Sequence, residues 1–207
     1  INNTSRSYVA SPNISTAQED DDAGYKLTLA YKFDELGRMV RKTLSPNGGS
    51  GGTPLETLDY SYNIRGWLTG INKDYALGEY NNNQWDHFFG LYIGYDNADG
   101  KFATAQKNGQ ITGVQWKSQG DNTPRKFDYV YDNANRLLAA NYSQRGNSGE
   151  SWNSTKADFS TKDISYDENG NLLAMKQMGI IPGANAPVTL DNLVYSYTAK
   201  TNKLIRQ

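Results

Sequence analysis

From Tyr25 the chain alternates: Tyr25, Leu27, Leu29, Tyr31 and Phe33 share one parity, with Lys26, Thr28 and Lys32 among the residues between them. A period of two places all five on one face of a β-strand. The run stops at Asp34-Glu35-Leu36-Gly37, and a second apolar stretch opens at Met39. Asp at the first position of a turn accepts hydrogen bonds from backbone amides downstream. Gly three residues later tolerates the positive φ that closes a type I turn with a G1 bulge. The pattern predicts a β-hairpin.

The same pattern returns along the chain. Aligned on the residue after the second aromatic, six segments fall into register at Asp34, Asn63, Asp96, Asp132, Asp167 and Thr198. Ahead of these stand Tyr31 and Phe33, Tyr60 and Tyr62, Ile93 and Tyr95, Tyr129 and Tyr131, Ile164 and Tyr166, and Tyr195 and Tyr197. Behind them, Gly37, Gly66, Asn135 and Gly170 hold the closing position of the turn, and Met39, Leu68, Leu137 and Leu172 open the return strand. The spacing varies by a few residues about a steady mean. That is expected of a fixed hairpin joined by loops of variable length rather than of a solenoid with equal rungs.

Two hairpins depart from the pattern. The sixth has an extra turn residue before Lys203-Leu204, and the third has Lys101 where an apolar residue is due. Because "NGQITGVQW" from 108 resembles "NGNLLAMKQ" from 169, residues 97–107 read as an insertion at the third hairpin tip.

Outside the hairpins, residues 1–24 lack periodicity and end near an acidic run, Glu19 to Asp22, which reads as an extended, poorly packed leader. Residues 25–207 form the repeat domain. The Gly/Ser-rich stretch 45–54, the polar stretch 144–158 and the proline-bounded stretch 179–189 read as loops. Residues 78–92 are the one place where a helix comes into question. Three consecutive asparagines and irregularly spaced aromatics favour strand or irregular structure there. The fold class expected is all-β, a long curved sheet of tandem antiparallel hairpins.

Composition agrees. With Tyr 15, Gly 20 and Trp 4 against Phe 6 and only 37% hydrophobic residues, the chain suits broad half-exposed sheets, because tyrosine packs its ring and still wets its hydroxyl. Lys+Arg 21 against Asp+Glu 22 leaves a net charge of −1, too little to recruit nucleic acid or anionic lipid. No cysteine is present, which excludes disulfides and thiol chemistry. No apolar run is long enough to span a bilayer. The chain begins at Ile1, which suggests a piece of a longer protein.

Tyr-x-Tyr-Asp-x-x-Gly-Arg-Leu, carried here by Tyr31 to Met39, Tyr129 to Leu137 and Tyr166 to Leu172, resembles the Rhs/YD-repeat family of bacterial cell-surface and toxin-associated proteins. The resemblance covers about residues 25–207, and its uneven spacers are similar to those of Bacteroidetes-type secreted members. It implies tandem hairpins side by side in a sheet that spirals into a hollow shell around a variable or toxin domain. It also implies a secreted or surface location, with the rest of the polypeptide as partner. A sheet of that many strands coils or splits under its own twist, in agreement. Its cut edges would let two copies pair. The segment in which family members carry autoproteolytic aspartates has no counterpart here, so no catalytic residue is carried over.

Candidate chemistry is sparse. His87, the one histidine, sits in "NNNQWDHFFG" beside Asp86 without a nucleophile or metal partners at a familiar spacing, and reads as structural. Asp96 to Gly100 lack the distant glutamate of a calcium loop, the acidic run lacks its Gly-bounded alternation of ligands, and they read as turn and solvated face. Neither cofactor nor metal is expected, and no enzymatic activity. The sharper alternative is carbohydrate binding or adhesion. Trp67 and Trp116 lie within the hairpins, whereas Trp85 and Trp152 lie outside them and could contact a glycan.

Overall fold

The computed structural model describes residues 14–21, 24–45, 54–79, 87–96, 99–146, 150–199 and 201–206. Its strands are β1 (Ile14–Asp21), β2 (Gly24–Phe33), β3 (Met39–Leu44), β4 (Glu56–Tyr62), β5 (Leu68–Ile71), β6 (Phe89–Gly94), β7 (Gly113–Ser118), β8 (Arg125–Tyr131), β9 (Leu137–Gln144), β10 (Thr161–Tyr166), β11 (Leu172–Gly179), β12 (Val188–Val194), β13 (Ser196–Tyr197) and β14 (Leu204–Arg206). One short helix, α1 (Lys73–Leu77), follows β5. Strands β1 to β12 form a 12-stranded sheet in chain order, and β13 pairs with β14. The fold is all-β, a row of antiparallel hairpins as the alternation predicts.

The first, second, fourth and fifth hairpins close as their sequence requires. The amide of Gly37 bonds to Asp34 O, Gly66 to Asn63 O, Asn135 to Asp132 O and Gly170 to Asp167 O, at 2.9 to 3.1 Å. The closing residues have φ of 74° (Gly37), 79° (Gly66), 65° (Asn135) and 84° (Gly170). The register slips by one residue beside each turn, between Lys32 and Phe33, Ser61 and Tyr62, and Val130 and Tyr131. This is the G1 bulge. Every residue of the aromatic pairs, from Tyr31 and Phe33 to Tyr195 and Tyr197, is half-buried.

The third hairpin has its insertion where the sequence places it. The return strand β7 starts at Gly113, the amide of Thr112 bonds to Gly94 O at 2.8 Å, and Gly109 holds a φ of 89°. The inserted residues fold back, burying Phe102 to 4% exposure against Gly94 and Gly113.

Two elements differ from expectation. Residues 1–24 read as a poorly packed leader, yet β1 pairs with β2, Ser15 opposite Tyr31 and Thr16 opposite Ala30. Its sequence lacks the alternation that marks a strand with a buried face, so the pairing was not legible. The helix forms at Lys73–Leu77, ahead of the stretch in which one was considered, while Phe89–Gly94 is strand. Five residues are too few to show a helical period. Of the predicted loop at 45–54, residues 46–53 lie outside the described residues.

The chain divides into two compact units, Ile1–Tyr92 with Trp116–Asn122, and Ile93–Gln115 with Thr123–Gln207. In the first, Tyr75, Ala76, Leu77 and Tyr92 are buried around α1. Gly90 makes that packing feasible: a Cβ there would stand 2.8 Å from the backbone of Ala76 and Asn72. In the second, Phe102, Ala140, Tyr142 and Ala157 are buried.

Candidate functional site

The residues that define the repeat also join one hairpin to the next. Tyr62 donates its hydroxyl to Met39 O at 2.8 Å, Tyr131 to Ile111 O at 2.9 Å, Tyr166 to Leu137 O at 2.8 Å and Tyr197 to Leu172 O at 2.9 Å. Met39, Leu137 and Leu172 open their return strands, and Ile111 lies two residues ahead of β7. Ile111 is the acceptor in the third hairpin, which fixes "NGQI" as the counterpart of "NGNL". The first hairpin carries Phe33, with no hydroxyl. Among the described residues no earlier return strand of this kind precedes it.

The turn aspartates supply a second link. Asp34 Oδ1 accepts the amides of Leu36 and Arg38 at 3.0 and 2.8 Å, and Oδ2 accepts Arg38 Nε at 2.7 Å. Asp132 repeats this with Ala134 and Arg136. The arginine, held on the turn, then lies over the ring of the next latch tyrosine: Arg38 at 5.0 Å from Tyr62 and Arg136 at 4.7 Å from Tyr166. Arg136 also donates to Asp167 O at 3.1 Å. In the third and fifth hairpins, where arginine is absent, the same position still bridges. Gln110 donates to Asn135 O at 2.7 Å and Asn171 to Asn202 at 3.0 Å. Asn63 caps its turn through the amides of Arg65 and Trp67, both at 3.0 Å.

These bonds hold the turn carboxyls below the usual carboxylate range. For Asp132 the leading cause is the Arg136 amide, and for Asp167 it is the Asn171 side chain. At Asp34 desolvation opposes ionisation, but the Arg38 amide and guanidinium outweigh it.

His87 is structural in its contacts. Its Nδ1 lies 3.0 Å from Glu56 Oε1, and both residues are buried. Glu56 Oε2 accepts the Phe88 amide at 2.6 Å. Asn72 stands beside the pair, donating to Phe89 O at 3.0 Å and accepting the Asp59 amide at 2.8 Å. Tyr75 meets His87 edge to face at 5.8 Å, and Lys117 Nζ lies 4.6 Å over the Tyr75 ring. This cluster borders a cavity of about 240 Å³ lined by residues of β4, the turn into α1, and His87. Sequence reasoning missed it because Glu56 and His87 are brought together by pairing of β4, β5 and β6, with no local motif.

Of the tryptophans expected to be available to a glycan, Trp85 lies outside the described residues. Trp152 is half-buried, with Lys126 Nζ and the Arg145 guanidinium each 5.1 Å from its ring. Lys126 is itself buried and paired with Asp128 at 3.0 Å. The remaining buried carboxylate, Asp158, accepts Lys162 Nζ at 2.8 Å, and Ser160 donates both amide and hydroxyl to it. Burial opposes ionisation of Asp158, and these donors hold its carboxyl below the usual range.

No protein-family model and no curated protein matches the chain. Among solved structures it is similar to the crystal structure of TcdB2-TccC3, at a TM-score of 0.28 and 12% sequence identity, over 94% of this chain and 12% of that chain.

Proposed function

We propose that this chain is a non-enzymatic structural repeat segment of a secreted or cell-surface YD-repeat protein, a stretch of wall that scaffolds or encloses an associated variable or toxin domain. The observation that carries the reading is the tyrosine latch. At four steps along the chain, the carbonyl at the start of one hairpin's return run receives the tyrosine hydroxyl of the hairpin that follows. The contact therefore adds one hairpin to the last without limit, as a wall requires. The sixth hairpin offers Leu204 in the place of Leu172, beside the exposed side chains of Leu190, Val194 and Ile205. Exposed apolar residues on a sheet edge suit further strands. The partner in this reading is the rest of the same polypeptide, with a second copy of the chain as the other occupant of that edge. The buried polar groups described here are bonded as structural groups, and the reading assigns none of them a catalytic role.

Electron cryomicroscopy of the full-length gene product tests this. The reading expects these hairpins inside a longer sheet, with latched hairpins beyond Leu204. An isolated sheet with both edges in solvent would contradict it.

A further inference from the structure

We propose that the inserted residues of the third hairpin are a ligand bound in cis, and that the sheet beneath them is a recognition site for an extended peptide carrying phenylalanine. Of residues 99–107 only Phe102 is buried, at 4% exposure. Its ring lies on Gly94 and Gly113, in a notch that exists because neither has a side chain. A Cβ on Gly94 would stand 2.6 Å from Phe102 Cδ2, and one on Gly113 2.6 Å from Cε1. The notch does not depend on the segment that fills it. Its floor is closed by sheet bonds, from the Thr112 amide to Gly94 O at 2.8 Å and from the Tyr129 amide to Thr112 O at 2.9 Å.

The groups around the ring read backbone. Lys126 and Asp128 stand two apart on β8, so they share a face of the sheet; both are buried, and they pair at 3.0 Å. Lys126 Nζ also donates to Lys101 O at 3.2 Å, and Asp128 Oδ1 accepts the Ala103 amide at 2.7 Å. One charge holds the carbonyl before the phenylalanine and the other the amide after it. Tyr129 O in turn accepts the Thr104 hydroxyl at 2.8 Å. Burying an ion pair costs desolvation, and its bonds to the segment offset that cost. An anchor side chain in a pocket, flanked by bonds to the main chain, is how extended peptides are bound. The pair is neutral as a whole, so it draws neither an anion nor a cation. Ala103 and Ala105 are exposed, which leaves the aromatic ring as the side chain that is selected.

This inference is independent of the scaffold reading, since it concerns one notch on the third and fourth hairpins. Lys101→Gly, Phe102→Gly, Ala103→Gly and Thr104→Gly, made together, empty the notch at constant loop length. A synthetic peptide of residues 100–105, Gly-Lys-Phe-Ala-Thr-Ala with blocked ends, is then titrated and followed by the amide chemical shifts of Gly113 and Tyr129. Saturable binding to the glycine variant is expected, with a Kd on the order of 1 mM. The parent protein should not bind the peptide, because the tethered segment occupies the notch at a higher effective concentration. Alanine in place of the peptide's phenylalanine should weaken binding by about tenfold or more. N-methylation at the position of Ala103, which removes the amide given to Asp128, should weaken it about tenfold. Hydrogen exchange in the parent protein tests the same claim without a variant. The Ala103 amide should exchange about tenfold faster than that of Tyr129, or more, by release of the segment from an intact sheet. Three results would overturn the proposal: no saturable binding to a glycine variant that keeps the parent's far-ultraviolet circular dichroism, equal binding of either altered peptide, or Ala103 exchange no faster than that of Tyr129.

Discussion

The hydroxyl of Tyr166 donates to the carbonyl of Leu137 at 2.8 Å, and in that one bond the fifth hairpin is tied to the fourth. The relation recurs between Tyr131 and Ile111 although an insertion separates the strands of the third hairpin. It is therefore a property of the repeat and not of loop length. The Arg136 guanidinium lies over the Tyr166 ring, so the residue that closes one turn also orients the latch of the next.

Removing the latch hydroxyl tests this link alone. Tyr166→Phe keeps the ring and its contact with Arg136 but leaves the Leu137 carbonyl without that donor. A loss of about 1 kcal/mol is expected, the usual net worth of such a bond. Phe33→Tyr adds a hydroxyl where no preceding acceptor is described, and should change stability by less than about 0.5 kcal/mol. Urea midpoints at constant slope measure both.

The turn carboxyls predict an acid dependence with a definite sign. Asp132 and Asp167 are held below the usual range in the folded chain, whereas an unfolded aspartate titrates near about 3.9. Their contribution is complete above that value and is lost as pH falls through the lower folded pKa, because the unfolded chain takes up protons first. Asp132→Asn should keep the turn, as Asn63 does in the second hairpin, while flattening its share of the acid limb. Unfolding curves from pH 6 down to pH 2 compare the two proteins.

Gly90 is predicted to be intolerant of any side chain. A Cβ would stand 2.8 Å from Ala76 N and Asn72 O and 2.9 Å from Tyr75 Cδ1, and relief requires α1 to lift from the sheet. Gly90→Ala should cost about 1 to 3 kcal/mol, the range for overpacking a filled site. It should also weaken the near-ultraviolet circular dichroism of Tyr75. An unchanged spectrum and melting temperature would show that α1 does not rest there.

The hairpins were legible because turn chemistry and alternation are local. Asp34, Gly37 and Met39 fix a turn, a bulge and a return strand within a few residues, and Asn108-Gly109-Gln110-Ile111 exposed the insertion by its likeness to Asn169-Gly170-Asn171-Leu172. The latch was half legible. Tyr62, Tyr131, Tyr166 and Tyr197 stand out by position, but their acceptors are backbone carbonyls, which leave no trace in a sequence. Arg38 and Arg136 belong to the repeat pattern, and only the fold shows that each reaches into the following hairpin. The Glu56–His87 pair and α1 were not legible, since the first depends on the pairing of strands far apart in sequence and the second spans little more than one turn.

Hydrogen exchange resolved by hairpin, on Gly170→Val, tests most directly that the sheet is a series of copied, latched hairpins. Gly170 has a φ of 84° with open space around it, so the substitution strains one turn, by about 1 to 2 kcal/mol, without a clash elsewhere. Faster exchange confined to β10 and β11 and to the neighbouring β9 and β12 is the predicted result. An equal loss of protection from β2 through β12 would contradict it.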